Sequence, residues 1–294
     1  MKFLITNYAS DSQTESMYIN ASINMIDGCK SALWNPKEVS AYDMFDAVRP
    51  DYFICHVDSI STDAMTYIKN ESPQTRIILN TTGSNQNNVL GVENILLDEG
   101  IDIAFFFTNS DEITLKPKKT NILSILFGAD IFLNEGFLNF NLDKAIFIHH
   151  KEDKGVVDGP HHVLSYNGNN RGIADIVLPI YQLGHLYENY NEIVIKYCGN
   201  IVPQLFFDAV YYGNIVSYNI NNKDENNRVN EKLKKVLKLE NNFETYDADY
   251  IKRIVKSKHT CLNRTKSLLS QLPAKEYIDK LDNIINNYTG EIVS

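Results

Sequence analysis

Two short stretches carry residue types able to hold a phosphorylated ligand. In "SYNGNNRG" (residues 165–172) a strand-like run gives way to Asn167, Gly168, Arg171 and Gly172 ahead of a helical pattern. Backbone N–H groups at a helix N-terminus form an anion site, and glycine there lets a phosphate approach the chain closely. The planar fork of Arg171 suits two phosphate oxygens at once. A Gly/Asn turn is equally the ordinary link between a strand and a helix. The second stretch is "NIVPQLFFDAVYYGNIVSYNI" (200–220), in which Asp208 is the one carboxylate of an otherwise almost wholly apolar run. Pro203 suits a helix start, Gln204 falls in the first turn, and Asp208 follows four residues later on the same face. A buried carboxylate is costly unless partnered. Asp208 therefore either pairs with a lysine or backbone amides, or accepts hydrogen bonds from the two hydroxyls of a ribose.

These residues need elements to position them, and the pattern supplies two α/β runs. In the first 135 residues, β-rich runs at 2–8, 31–35, 51–57, 76–82 and 102–109 alternate with helical patterns at 16–29, 41–48 and 62–70. Such continuous apolar strands suit a parallel sheet covered on both faces. From about residue 142 the pattern restarts, with strands at 144–150, 162–168, 192–197 and 214–220 and helices at 173–187 and 203–212. The asparagine-rich run at 221–230 reads as a solvated loop, and the tail from 231 as mostly helical. The stretch 117–138, with Gly128 and Gly136, reads as the boundary. Two tandem α/β lobes leave a cleft between them, where ligands of such proteins sit.

The bulk numbers agree with a folded chain of this size. It has 294 residues, 44% of them hydrophobic, enough for roughly two domains of about 150 residues. With 28 basic and 37 acidic residues it carries a net charge of −9, which disfavours tracking of duplex DNA by phosphate contacts. Cys29, Cys55, Cys198 and Cys261 are far apart, as reduced thiols would be. The N-terminus reads as a first strand, no apolar run reaches the roughly 18 residues of a membrane span, and a cytoplasmic location is expected.

Near the C-terminus, "KHTCLNRTKSLL" (258–269) sets His259, Thr260, Asn263 and Arg264 in the pattern His-Thr-Tyr-x-Asn-Arg, with Cys261 in place of tyrosine. Upstream, Phe207, Asp208, Ala209 and Gly213 fit the frame Arg-x-Phe-Glu-Ala, a short gap, then Gly and a strand. Together these resemble glycosyltransferases of the GT-B fold, in particular the CgeB-like group with a family-1-type C-terminal domain. The resemblance spans about residues 193–269.

It implies two Rossmann-like lobes facing a central cleft, with an acceptor lobe at 1–135, a donor lobe at 136–275 and a C-terminal helical tail at 276–294. It further implies a metal-independent hexosyl- or pentosyltransferase, with no cofactor beyond a nucleotide-sugar substrate, a UDP-sugar first among donors. Asp208 becomes the ribose-side ligand and Arg171 the phosphate-side one, with Asn167, Gly168 and Gln204 completing the donor set. Leu205 stands where the family has arginine, and aspartate replaces glutamate. These departures keep open a catalytically inactive nucleotide- or sugar-binding protein on the same fold. The acceptor is a hydroxyl of unknown class on a glycan, protein, small molecule or modified DNA base, the last disfavoured by the acidic charge.

An inverting transferase needs a base beside the attacking hydroxyl. Strand-end residues of the first lobe are the candidates: Asp11, His56 and Asp58. Each is equally suited to a helix cap or a solvated loop. The pairs His149–His150 and His161–His162 lack compact metal-ligand spacing, because neighbours on a strand point to opposite faces. The DxD formed by Asp247 and Asp249 lies in the polar tail and reads as a helix start, so no metal site is assigned.

Overall fold

The computed structural model describes residues 1–6, 13–126, 128–129, 131–132, 144–147, 160–165, 176–177, 190, 192–195, 204–212, 216–218 and 223–289. The chain divides into two compact units, Met1–Leu126 with Cys261–Gly290, and Phe127–Thr260 with Glu291–Ser294. This differs from the expected division at residues 135 and 275. The late helices belong with the N-terminal sheet.

In the first unit, β1 (Lys2–Thr6), β2 (Lys30–Trp34), β3 (Tyr52–His56), β4 (Arg76–Asn80), β5 (Ile103–Thr108) and β6 (Ile122–Ser124) form one sheet in the order β2-β1-β3-β4-β5-β6. Every pairing is parallel. Both faces are covered, as the continuous apolar runs predict. Leu4, Phe53, Cys55, Ile77, Leu79 and Phe106 join Phe45, Tyr67 and Leu96 in one apolar cluster. Those three come from α2 (Ala41–Val48), α3 (Thr62–Glu71) and α4 (Gln86–Asp98). Phe3, Ile5, Ile54, Ile78 and Phe105 alternate with the cluster residues along the strands and are also buried. Each such side chain contributes about 1.5–3 kcal/mol on leaving water.

Helix α1 (Gln13–Asn24) packs against the Cys261–Leu269 helix, which in turn packs against the Lys275–Thr289 helix. Ser40, Ser61 and Asn85 cap α2, α3 and α4 by accepting backbone N–H groups at 3.2, 3.2 and 3.0 Å.

The second unit has its own parallel sheet, β11-β10-β7-β8-β9, built from β7 (Lys144–Phe147), β8 (His162–Ser165), β9 (Ile176–Val177), β10 (Glu192–Ile195) and β11 (Val216–Tyr218). Its described helices are α5 (Gln204–Tyr212), α6 (Lys223–Leu237) and α7 (Ala248–Lys258); the two later helices of the chain are α8 (Cys261–Leu269) and α9 (Lys275–Thr289). Asp247 caps α7, its carboxylate accepting from Tyr250 N at 2.6 Å, so the DxD marks a helix start as expected. No described helix is long and apolar enough to cross a membrane.

Two local readings are corrected, and a third is borne out with one addition. Within 173–187, read as helical, Ile176–Val177 is the edge strand β9. The "NNKDENNRVN" run, read as a loop, largely lies in α6, where Val229 and Asn230 are buried. Residues 117–138, read as the boundary, hold the division between the two units after Leu126 and also the short strand β6.

Candidate functional site

In an open parallel sheet the ligand crevice lies beyond the carboxyl ends of the strands, where the strand order reverses. In the first sheet the chain passes from β1 outward to β2 and then returns to β3 on the other side of β1. The reversal therefore falls between β1 and β3, which end at Thr6 and His56. Thr6 is buried, and its Oγ1 has no hydrogen-bond partner among the described residues. Its carbonyl accepts from Ser16 Oγ at 3.0 Å. Asp11 lies outside the described residues.

The two described base candidates separate cleanly. His56 Nε2 donates to the Thr82 carbonyl at 2.8 Å, while Nδ1 accepts the Asp58 backbone N–H at 3.2 Å. That pattern fits one neutral tautomer with both nitrogens used. His56 ties the end of β3 to the loop after β4, and Ser59 Oγ fastens the same turn by donating to the His56 carbonyl at 2.9 Å.

Asp58 instead has a half-exposed side chain (51%). Its Oδ2 accepts from Ser84 Oγ at 3.3 Å and its Oδ1 from Asn88 Nδ2 at 3.2 Å. Asn88 sits in the first turn of α4, where Asn85 caps the helix. Asp58 is thus an oriented, ionisable carboxylate at the reversal of the sheet, with lone pairs left for a hydroxyl proton. Ser84 and Asn88 were not anticipated, because α4 itself was not read from the sequence; the run "GSNQNN" carried the capping signal. Nearby Cys55 is enclosed, and burial pushes its thiol well up, which leaves it inert as a nucleophile.

In the second sheet the order reverses between β7 and β10. Helix α5 follows β10 and leads to β11, which pairs parallel to β10, so the helix begins on the carboxyl side of the sheet. Gln204 opens it. Asp208 lies in its second turn at 1% exposure, between the buried Phe207 and Ala209. It already has a polar partner within the chain, which does not exhaust the several acceptor positions of a carboxylate. Asn167, Gly168 and Arg171 lie outside the described residues.

The two stretches that carry the family resemblance meet in space. The Phe207 ring stacks on His259 with centroids 5.7 Å apart and planes at 15°. His259 and Thr260 end the second unit's run, and Ala129 N donates to the His259 carbonyl at 2.7 Å. Gly128 is required there, since a Cβ would stand 2.7 Å from the Thr260 carbonyl oxygen. Arg264, from the same motif, belongs to the first unit on α8. Burial of its guanidinium pushes it down to about 10, with Tyr18 and Cys261 acting in the opposite direction, so it stays charged at neutral pH.

His162 Nδ1 shares a hydrogen bond with the Tyr190 hydroxyl at 3.0 Å, and His149 and His150 lie outside the described residues. Among the described residues, no three His, Cys, Asp or Glu side chains group as a metal site.

No family model matches the chain, and no curated protein matches its sequence. Among solved structures, the chain is similar to spinosyn rhamnosyltransferase SpnG complexed with thymidine diphosphate, at 8% identity and a TM-score of 0.44 over 99% of this chain and 97% of that one. It is also similar to glycosyltransferase VinC in complex with dTDP, at 11% identity and a TM-score of 0.43 over 99% of this chain and 98% of that one. Likeness of this degree does not assign a family.

Proposed function

We propose that the protein is a glycosyltransferase that moves a sugar from a nucleotide diphosphate, a UDP-sugar first among donors, to a hydroxyl acceptor. The observation that carries the reading is the position of Asp208. Its helix leaves β10, one of the two strands that flank the reversal of order in the second parallel sheet, and its neighbour Phe207 packs on the His259 of the second motif. In this reading the second unit holds the nucleotide, with Asp208 on the ribose hydroxyls and Gln204 in the first turn beside it. Asn167, Gly168 and Arg171 form the phosphate turn. The first unit holds the acceptor.

Asp58 is the base. Ser84 and Asn88 hold its carboxylate toward the attacking hydroxyl, and it takes the proton as the oxygen bonds to the sugar carbon. The nucleotide diphosphate departs with the electron pair of the broken bond, its charge met by Arg171 and the backbone N–H groups of that turn. No metal enters this scheme. His56 is a positioning residue that fixes the turn carrying Asp58.

A second reading, a non-catalytic nucleotide- or sugar-binding protein, is favoured by the near-complete burial of Asp208 and by Leu205 in place of the family arginine. Donor hydrolysis separates the two. Incubated with UDP-glucose and other nucleotide-sugars, a transferase releases free nucleotide diphosphate slowly, and Asp208→Ala suppresses the release. Absence of release from every donor, with binding intact, would leave the second reading.

A further inference from the structure

The second unit carries a strip of alternating rings and cations that the proposed transfer does not use. It starts at Lys234 of α6, which lines one depression with Tyr246. The Tyr246 hydroxyl is pinned by the backbone N–H groups of Glu240 and Asn241 at 3.1 and 2.9 Å. Tyr250, exposed on α7, stacks on Tyr246 with centroids 4.8 Å apart and planes at 13°. The Arg253 guanidinium lies over the Tyr250 ring at 5.9 Å. One helical turn on, Lys256 lies over Tyr211 of α5 at 5.2 Å. Ile251 and Val255 are buried, so α7 is fixed with this edge outward. Neither Arg253 nor Lys256 is joined to a carboxylate among the described residues, although Asp247 and Asp249 line the same depression as both cations.

The charge around the strip has the opposite sign to the rest of the chain. Residues 223–260 hold ten Lys and Arg against seven Asp and Glu, a net +3, while the remainder carries −12. A net positive segment in an otherwise acidic chain is drawn to a negative surface that repels the remainder.

We propose that this strip docks the protein on an anionic phospholipid surface. The exposed Tyr250, the half-buried Tyr246 and Tyr211 and the long-stemmed cations are residue types that settle at the headgroup level, ring body inward and charge toward phosphate. The ring arrangement disfavours single-stranded nucleic acid, the other partner that basic and aromatic residues together fit. That partner needs open ring faces for its bases, and here Tyr250 already lies against Tyr246 and Arg253, and Tyr211 beneath Lys256.

Co-sedimentation of the full chain with vesicles of phosphatidylcholine alone and of phosphatidylcholine mixed with phosphatidylserine tests this. Binding is expected only to the mixed vesicles. It should weaken steeply as salt rises and fall at least about ten-fold in the Arg253→Glu, Lys256→Glu double variant, while Arg253→Lys with Lys256→Arg retains it. A circular dichroism melt shows whether the reversed variant folds; if it does not, the neutralised Arg253→Gln, Lys256→Gln pair is read instead and is expected to bind more weakly. Equal binding to both vesicle types, no binding, binding unchanged by removal of the charges, or preference for a single-stranded oligonucleotide over the mixed vesicles would each overturn the proposal. Nucleotide release from donor sugars is a separate readout, so either result stands without the other.

Discussion

Asp58 and His56 stand two residues apart and differ in what remains available to a ligand. Both ring nitrogens of His56 are used within the protein, whereas the Asp58 carboxylate is half-exposed and held by two side-chain donors. Asp58→Asn is expected to lower turnover by about a hundred-fold or more, while donor affinity and stability, within about 0.5 kcal/mol, stay unchanged. Steady-state kinetics beside a thermal melt measures all three. The sequence placed both residues at a strand end beside a crevice and weighed them nearly equally. Only the tautomer geometry separates them, and that depends on the carbonyl of Thr82, 26 residues away.

At the scale of elements, the least legible feature is the clamp between α4 and the segment before β6. Glu93 is fully buried, and its carboxylate accepts the backbone N–H groups of Lys118, Lys119 and Thr120 at 2.7, 2.9 and 3.0 Å. Gln86, two turns earlier, exchanges a pair of hydrogen bonds with the Lys116 backbone at 2.7 and 3.0 Å. Burial acts to raise the Glu93 carboxyl, the N–H groups outweigh it, and the net direction is below its ordinary value of 4.5.

A folded-state value below the unfolded one stabilises the protein above the ordinary carboxylate range, and the gain is lost as pH falls through the folded value. Glu93→Gln should cost about 2–3 kcal/mol at neutral pH. The gap from wild type should close as urea midpoints are followed into acid, and a gap that persists unchanged would contradict the clamp.

The five strands read in the first half all formed, because long apolar runs with β-branched and aromatic residues admit few alternatives. Strand β6 and this clamp were missed for a shared reason. Residues 117–121 open the stretch read as the boundary, and nothing local shows that the backbone of 118–120 is bound by a glutamate from the preceding helix.

For the whole molecule, the sequence carried the α/β class and the restart of the pattern in the second half, and the structure has a parallel sheet in each unit. It placed the first division, after Leu126, within the stretch 117–138, but did not carry the return of the chain to the first unit after Thr260. The family-like motif at 259–264 is cut between Thr260 and Cys261, so that His259 serves the second unit and Arg264 the first, a split invisible in a contiguous pattern. Gly128 secures the chain segments at that division, since its missing Cβ lets Ala129 pair with Thr260. Gly128→Ala should cost about 1–3 kcal/mol in a thermal or urea melt, and a neutral result would show that the neighbouring backbone yields freely.

The claim that the second unit binds a nucleotide-sugar through the α5 helix is tested most directly by titration calorimetry. Wild type and Asp208→Ala are titrated with UDP-, GDP-, ADP- and TDP-sugars, with a melt confirming that the variant folds. Binding of at least one donor by wild type, weakened about ten-fold or more in the folded variant, is the predicted result. Failure of the wild type to bind any donor, or equal affinity in the two proteins, would contradict it.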